Sequence, residues 1–335
     1  FIPSSEYVHC PNKALPSRAN LDVPHPVSFA AWAIANETGI SVVPFQLIGN
    51  SIFVQGSVNG NSGNFLLDTG SPNLLLNKKY FKGVRQHSAG LNILDIHGQS
   101  QPAAYYVVKE LRIADHKVKE NHGLVVDLSA LEKAKGIAIA GIIGYSSLRN
   151  VEVVFDFDNW VLWIVPLDRK GNRIARIESF KMVESFKLKM CGHISYITAR
   201  FRGKKLRLGI DSGSEVNMLN RRLVKRNRNN FEVTGHLIVR GLADEYLACG
   251  TGTVKDIQLQ PGHSARLDVA LADMYHLNEC LGVNLHGLLG APFLMQGKVA
   301  INFRKKRLYL GQPLEAGLAR QSAIAAERNL VSADR

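Results

Sequence analysis

No stretch of this 335-residue chain approaches the roughly 18 consecutive apolar residues of a membrane-spanning helix. The longest candidate, around Ile137–Ile143, is far too short, so no membrane span is expected. The four cysteines (Cys10, Cys191, Cys249 and Cys280) show no CxxC spacing, which argues against a structural zinc site. Their even number permits two disulfides, with Cys249–Cys280 the easier pair because both fall in one half of the chain. None of the eleven histidines stands in an HExxH pattern, so zinc hydrolysis is unsupported and no metal is expected. Gly250-Thr251-Gly252 lacks the third glycine of a dinucleotide loop, and no cofactor is expected. Aromatic residues make up only 8%, and Trp160 and Trp163 read as packing residues on a strand.

The chain has an apolar fraction of 46% and a charged fraction of 21%, the composition of an ordinary globular protein. Its length suffices for two domains. Net charge is +13, which raises the question of nucleic acid. The densest basic run, Arg221 to Arg228, has no interleaved aromatics and matches no nucleic-acid motif; it reads as a solvated face, and no nucleic-acid partner is expected. The start at Phe1 rather than Met suits a mature exported protein (periplasmic, cell-surface or secreted), and Asn36-Glu37-Thr38 fits a glycosylation sequon.

One short pattern occurs twice. Phe65-Leu66-Leu67-Asp68-Thr69-Gly70-Ser71 is an apolar strand that delivers a carboxylate, a hydroxyl, a glycine and a second hydroxyl. Leu208-Gly209-Ile210-Asp211-Ser212-Gly213-Ser214 repeats it. Glycine permits the tight turn, and the hydroxyls can hydrogen-bond around the carboxylate. Around these loops the chain reads as short β runs. The Asn59-Gly60 step signals a hairpin within a turn over 59–63, Leu91–Ile96 and Ala103–Val108 flank Asp95 to Gln99, and Ser129–Lys135 is a short helix. A second short helix is expected over Ser28–Asn36. Offsets between matching features are nearly constant: 211 − 68 = 143, 220 − 77 = 143, 290 − 144 = 146 and 303 − 157 = 146. Such constancy signals internal duplication.

With both Asp loops present, each followed by an apolar-apolar-Gly element (Ile142-Ile143-Gly144 and Leu288-Leu289-Gly290), the chain resembles an aspartic protease. The resemblance is to the retropepsin-like branch with both lobes in one chain, as in bacterial exported members, and more distantly to pepsin. It covers roughly residues 43–311. It departs in having Leu74-Leu75-Leu76 where pepsin-like enzymes place a Trp, in Ser71 and Ser214 where retroviral enzymes have Ala, and in Ser212 where Thr is commoner. The resemblance implies an all-β acid-protease fold: two homologous β-barrel-like lobes about a pseudo-two-fold axis, with the active site between them. The implied layout is an N-terminal arm over 1–45 (a candidate pro-segment), a lobe over 46–168, a linker over 169–188, a second lobe over 189–312 and a tail over 313–335.

The resemblance makes Asp68 and Asp211 the catalytic pair of an endopeptidase. Thr69 and Ser212 would brace the loops across the axis, with Gly70 and Gly213 beside them. Ser71 and Ser214 would donate to the outer carboxylate oxygens, favouring the ionised form and acid pH. Gly144 and Gly290 would let each second element cross its Asp loop. Flap candidates are His97, Gly98 and Gln99 in the first half and Gly241, Leu242 and Ala243 in the second. The expected partner is an extended polypeptide substrate, and a monomer carries both half-sites. A chymotrypsin-like reading of Asp211-Ser212-Gly213 finds no histidine in a matching context and leaves Asp68 without a role. The remaining alternative is a catalytically silent module that binds peptide on the same fold.

Overall fold

A computed structural model describes residues 4–6, 39–82, 91–94, 100–114, 116–120, 122–175, 177, 180–225, 228–240, 246–260 and 263–313. The expected helix over Ser28–Asn36, most of the arm, the tail from 314 and all six flap candidates (His97, Gly98, Gln99, Gly241, Leu242, Ala243) lie outside them. The described chain is almost entirely β, as the all-β expectation requires; its α-helices run only four to seven residues, as at Tyr145–Leu148 and Ser129–Lys135.

The first hairpin shows how sequence sets the geometry. Strand Ser51–Val58 pairs antiparallel with Asn61–Leu67, and Val58 stands opposite Asn61. Only Asn59 and Gly60 form the loop, both at positive φ (49° and 84°), the requirement of a tight two-residue turn whose twist matches the strands. The five-residue turn expected over 59–63 therefore shrinks to two. At the same offset of 143, Arg202 (φ 49°) and Gly203 (φ 75°) join Ile194–Phe201 to Lys204–Ile210.

Each of these second strands runs into an Asp loop and is flanked by a short apolar strand. Gly141–Ile143 lies parallel to Asn61–Leu67 and antiparallel to Leu75–Asn77. Gly287–Leu289 likewise lies parallel to Lys204–Ile210 and antiparallel to Met218–Asn220. Leu75–Asn77 continues parallel to His122–Val126, and Met218–Asn220 parallel to His263–Ala272. Gly141–Ile143 and Gly287–Leu289 are buried along their whole length, which is why they read as continuous apolar runs rather than alternating ones. Ser129–Lys135 is helical as the sequence predicts, closed by Gly136 in the left-handed region; Tyr275–Leu281, closed by Gly282, is its unpredicted counterpart.

A set of long strands ties the halves together. Val151–Asp156 pairs with Val161–Pro166 on one side and with Gly297–Asn302 on the other. Met182–Lys187, within the stretch read as linker, pairs with Arg307–Pro313, and Ser41–Ile48 pairs with Val161–Pro166. The largest apolar cluster draws on both halves, with Phe45, Phe65 and Phe155 beside Phe293 and Ile301. Glu152, Asp156 and Asn302 are buried in this sheet but satisfied: Glu152 takes Arg173 and Asn302, and Asp156 takes Lys298 and the Trp163 indole. The suggested Cys249–Cys280 disulfide is absent. Cys249 is buried in its strand, Cys280 is exposed, and both are free thiols.

Gly144 and Gly290 sit where two backbones cross. A Cβ on Gly144 would meet the carbonyl oxygens of Ser71 (2.6 Å) and Asn73; on Gly290 it would meet those of Val216 (2.5 Å) and Ser214. These neighbours are main chain and cannot swing aside. Gly290→Ala is expected to cost at least about 1–3 kcal/mol of stability, read as a lowered midpoint in urea unfolding. An unchanged midpoint would show that the crossing relaxes freely.

Candidate active site

Asp68 and Asp211 end the two strands that the apolar crossing elements flank. Their backbone N–H groups donate to Ile143 and Leu289 respectively, each at 3.0 Å, so each Asp is fixed by its own crossing strand. Both residues are buried, at 0% and 2% exposure. Within each turn the carboxylate faces backbone donors: Gly70 (2.8 Å) and Ser71 (3.0 Å) donate to Asp68 Oδ1, and Gly213 (2.9 Å) to Asp211 Oδ1.

The turns are locked across the halves. Thr69 N–H donates to Ser212 Oγ and Ser212 N–H to Thr69 Oγ1, both at 3.0 Å. Each hydroxyl then donates onward into the opposite strand, Ser212 Oγ to the Leu67 carbonyl at 3.0 Å and Thr69 Oγ1 to the Ile210 carbonyl at 3.5 Å. This reciprocal set presses each glycine against the other half's carboxyl. A Cβ on Gly70 would come within 2.6 Å of the Asp211 carboxyl, and one on Gly213 would collide with that of Asp68. The structure thus brings Asp68, Thr69, Gly70, Ser212, Gly213 and Asp211 into one buried cluster. Burial, then the Asp68 charge and a hydrogen bond between the two side chains, holds the Asp211 carboxyl well above the usual carboxylate range.

Ser71 and Ser214 depart from expectation. Ser71 Oγ donates to the Asn73 carbonyl (3.1 Å) and Ser214 Oγ to that of Val216 (2.7 Å). A hydroxyl has one proton to give, so these serines brace their own loops, and the acid shift expected from them loses its source. Gly144 and Gly290 lie just behind, where Tyr145 N–H donates to the Ser71 carbonyl and Ala291 N–H to that of Ser214, both at 2.8 Å.

Residues 54–147 match the family model described as aspartyl protease. Over that stretch the chain is similar to that family. The matched stretch spans Asp68 and Gly144 and ends well before Asp211, so the second carboxylate enters through the fold. No curated protein matches the chain.

Two further features escape sequence reasoning. Glu215, four residues past Asp211, is buried against the first half, where it pairs with Lys135 at the end of the Ser129–Lys135 helix. Ser51 Oγ (2.8 Å) and Asn50 N–H (3.2 Å) also donate to Glu215 Oε1, and Asn50 Nδ2 donates to its carbonyl at 2.8 Å. Both side chains are nearly dry, at 6% for Lys135 and 2% for Glu215. Proline 72 holds the matching place in the first loop (215 − 143 = 72), so the latch has no mirror image. Removing one charge of a buried pair strands the other. Lys135→Met is expected to destabilise the chain by about 3–5 kcal/mol, and Lys135→Met with Glu215→Leu to recover much of that loss in thermal unfolding.

His193 holds the position matching Asn50 (193 − 143 = 50). It is half-buried, beside the Gly70 backbone and within electrostatic reach of Asp68. Its Nε2 is buried with no hydrogen-bond partner among the described residues. Burial depresses its pKa to about 4 from an ordinary 6.5, against the raising pull of Asp68 and the Gly70 backbone. Between those values the unfolded chain binds a proton that the folded chain refuses, so stability present above pH 6.5 is lost as pH falls toward 4. Melting temperature is expected to drop through that window in wild type and to drop less in His193→Gln. Parallel curves would show that His193 does not contribute.

Proposed function

We propose that the chain is an aspartic endopeptidase in which Asp68 and Asp211 act as one acid–base unit on water. The observation that carries this reading is the reciprocal Thr69–Ser212 bonding, which packs two buried carboxyls from separate strands against each other. Two like charges this close do not both ionise; the pair shares a proton and titrates as a unit. The handedness of the chemistry follows. The ionised partner takes a proton from water as it attacks a peptide carbonyl, and the protonated partner donates to the developing oxyanion. The carboxyl that took the water proton then gives it to the amide nitrogen as the C–N bond breaks, while its partner recovers a proton from the tetrahedral hydroxyl; the pair returns to its starting state and the reaction needs no other ionisable group. Aspartic-protease pairs are the general example of such sharing.

An extended peptide would lie between the halves, its backbone bonding to hairpin edges and its side chains entering pockets. Support for a strand-accepting edge comes from Ser4–Glu6, which pairs antiparallel with Ile238–Arg240 just before the second flap candidate. We infer that the recurrent pairing around the two Asp loops reflects an internal duplication, with one lobe in each half. Because both carboxylates come from one chain, a monomer is the active form.

Asp68→Asn and Asp211→Asn are each expected to lower peptide hydrolysis by about 10²–10⁴-fold or more while leaving the far-UV circular dichroism unchanged. The assay uses a mixed peptide library from about pH 3 to 8 and the monomer fraction from size exclusion with light scattering. Hydrolysis that survives either substitution would remove that carboxylate from the chemistry. Well-folded wild type that binds peptides without cleaving them at any pH would make the chain a silent peptide-binding module.

A further inference from the structure

Between Glu184 and Asp211 the sequence contains lysines and arginines but no acidic residue. The hairpin of Ile194–Phe201 and Lys204–Ile210 sorts them by side-chain alternation. Ile197, Ala199, Phe201, Leu206 and Leu208 face the core, while Thr198, Arg200, Lys205 and Arg207 are exposed. In register, Arg200 stands directly opposite Lys205, and Thr198 opposite Arg207. On its other side Arg200 is paired with Gln258, which is exposed and neutral. Like charges set directly across a strand pair repel.

Some surface cations elsewhere are matched by carboxylates, as in Lys78–Asp127, Arg221–Asp273 and Lys255–Glu232. Among the described residues no carboxylate lies within ion-pair distance of Arg200, Lys205 or Arg207. This face is therefore an unneutralised cationic sheet surface. It lies six residues of strand before Asp211 (211 − 205 = 6), about 20 Å from the carboxyl pair at ~3.3 Å per residue.

We propose that this face docks an acidic stretch of the polypeptide substrate, outside the residues that enter the catalytic site. The choice of polypeptide rests on the peptidase reading above; the demand for an anion does not. Exposed strand residues recur every second position, about 6.6 Å apart, the interval at which an extended acidic peptide presents side chains to one side. The face carries no exposed aromatic ring on which bases would stack: Tyr196, in line with Thr198 and Arg200, packs against an apolar cluster. Nor does it offer an apolar side chain to insert into a bilayer. A flat cationic strand face with polar neighbours fits a flexible acidic chain.

The test is fluorescence anisotropy of a labelled Glu-Ser repeat peptide with the full chain, from about 20 to 300 mM salt, in wild type and in Arg200→Glu/Lys205→Glu. Wild type is expected to bind, losing at least about tenfold in affinity across the salt range. The double variant is expected to lose about tenfold at the lowest salt yet cleave a short neutral peptide as wild type does. Arg200→Glu alone, which sets opposite charges across the pair, should melt no lower than wild type. Absence of salt-sensitive binding, equal binding by the double variant, or preference for an oligonucleotide or for phosphatidylglycerol vesicles over the peptide would each overturn the proposal. Acidic-peptide binding by a chain that hydrolyses no peptide would keep the docking face and sink only the peptidase reading.

Discussion

Everything near the centre of this molecule depends on two hydroxyls, those of Thr69 and Ser212. Each accepts a backbone N–H from the opposite turn and donates onward to the strand beyond it. That exchange holds two buried carboxyls together against the cost of desolvating each and the repulsion that ionising both would bring. Buried polar networks of this kind hold only when every member is satisfied. Here the backbone donors of Gly70, Ser71 and Gly213 complete the set. The glycines are required because each turn leaves no room for a side chain beside the other half's carboxyl.

The fold around this centre supplies rigidity rather than chemistry. The crossing strands Gly141–Ile143 and Gly287–Leu289 hold the Asp backbones through Ile143 and Leu289, and the long strands that pair across the halves fix one Asp loop relative to the other. The two loops are nevertheless held differently. A dry Lys135–Glu215 pair anchors the second loop to the first half, whereas the half-buried His193 stands at the matching place near the first. An arrangement that is symmetric in backbone is thus asymmetric in charge, which gives the two sides of the carboxyl pair different surroundings.

Local signals in the sequence carried far. Asn59-Gly60 announced a hairpin because few residues tolerate positive φ at both positions, although its loop is two residues and not the five expected, and Ser129–Lys135 announced a helix. The limits appear where the outcome depends on a distant partner. The Ser71 and Ser214 hydroxyls had two acceptors in reach, a carboxylate and a nearby carbonyl, and only the folded loop shows that they take the carbonyl. Cys249 and Cys280 were close in sequence order, but their strand and helix place one inside and the other outside.

The sequence by itself determined that two Asp-hydroxyl-Gly turns end apolar strands, because strand period and turn chemistry are local properties; that a glycine element crosses each turn was implied only by the family resemblance. The tertiary structure alone decided that the turns grip each other, that Glu215 meets Lys135, that His193 lies by the Gly70 backbone, and that Arg200 faces Lys205. Those are contacts between residues separated by tens to more than a hundred positions in the chain, or fixed by strand register. Only the packed sheets, where burial makes each unpaired polar group costly, select one set of such contacts from the many that the sequence permits.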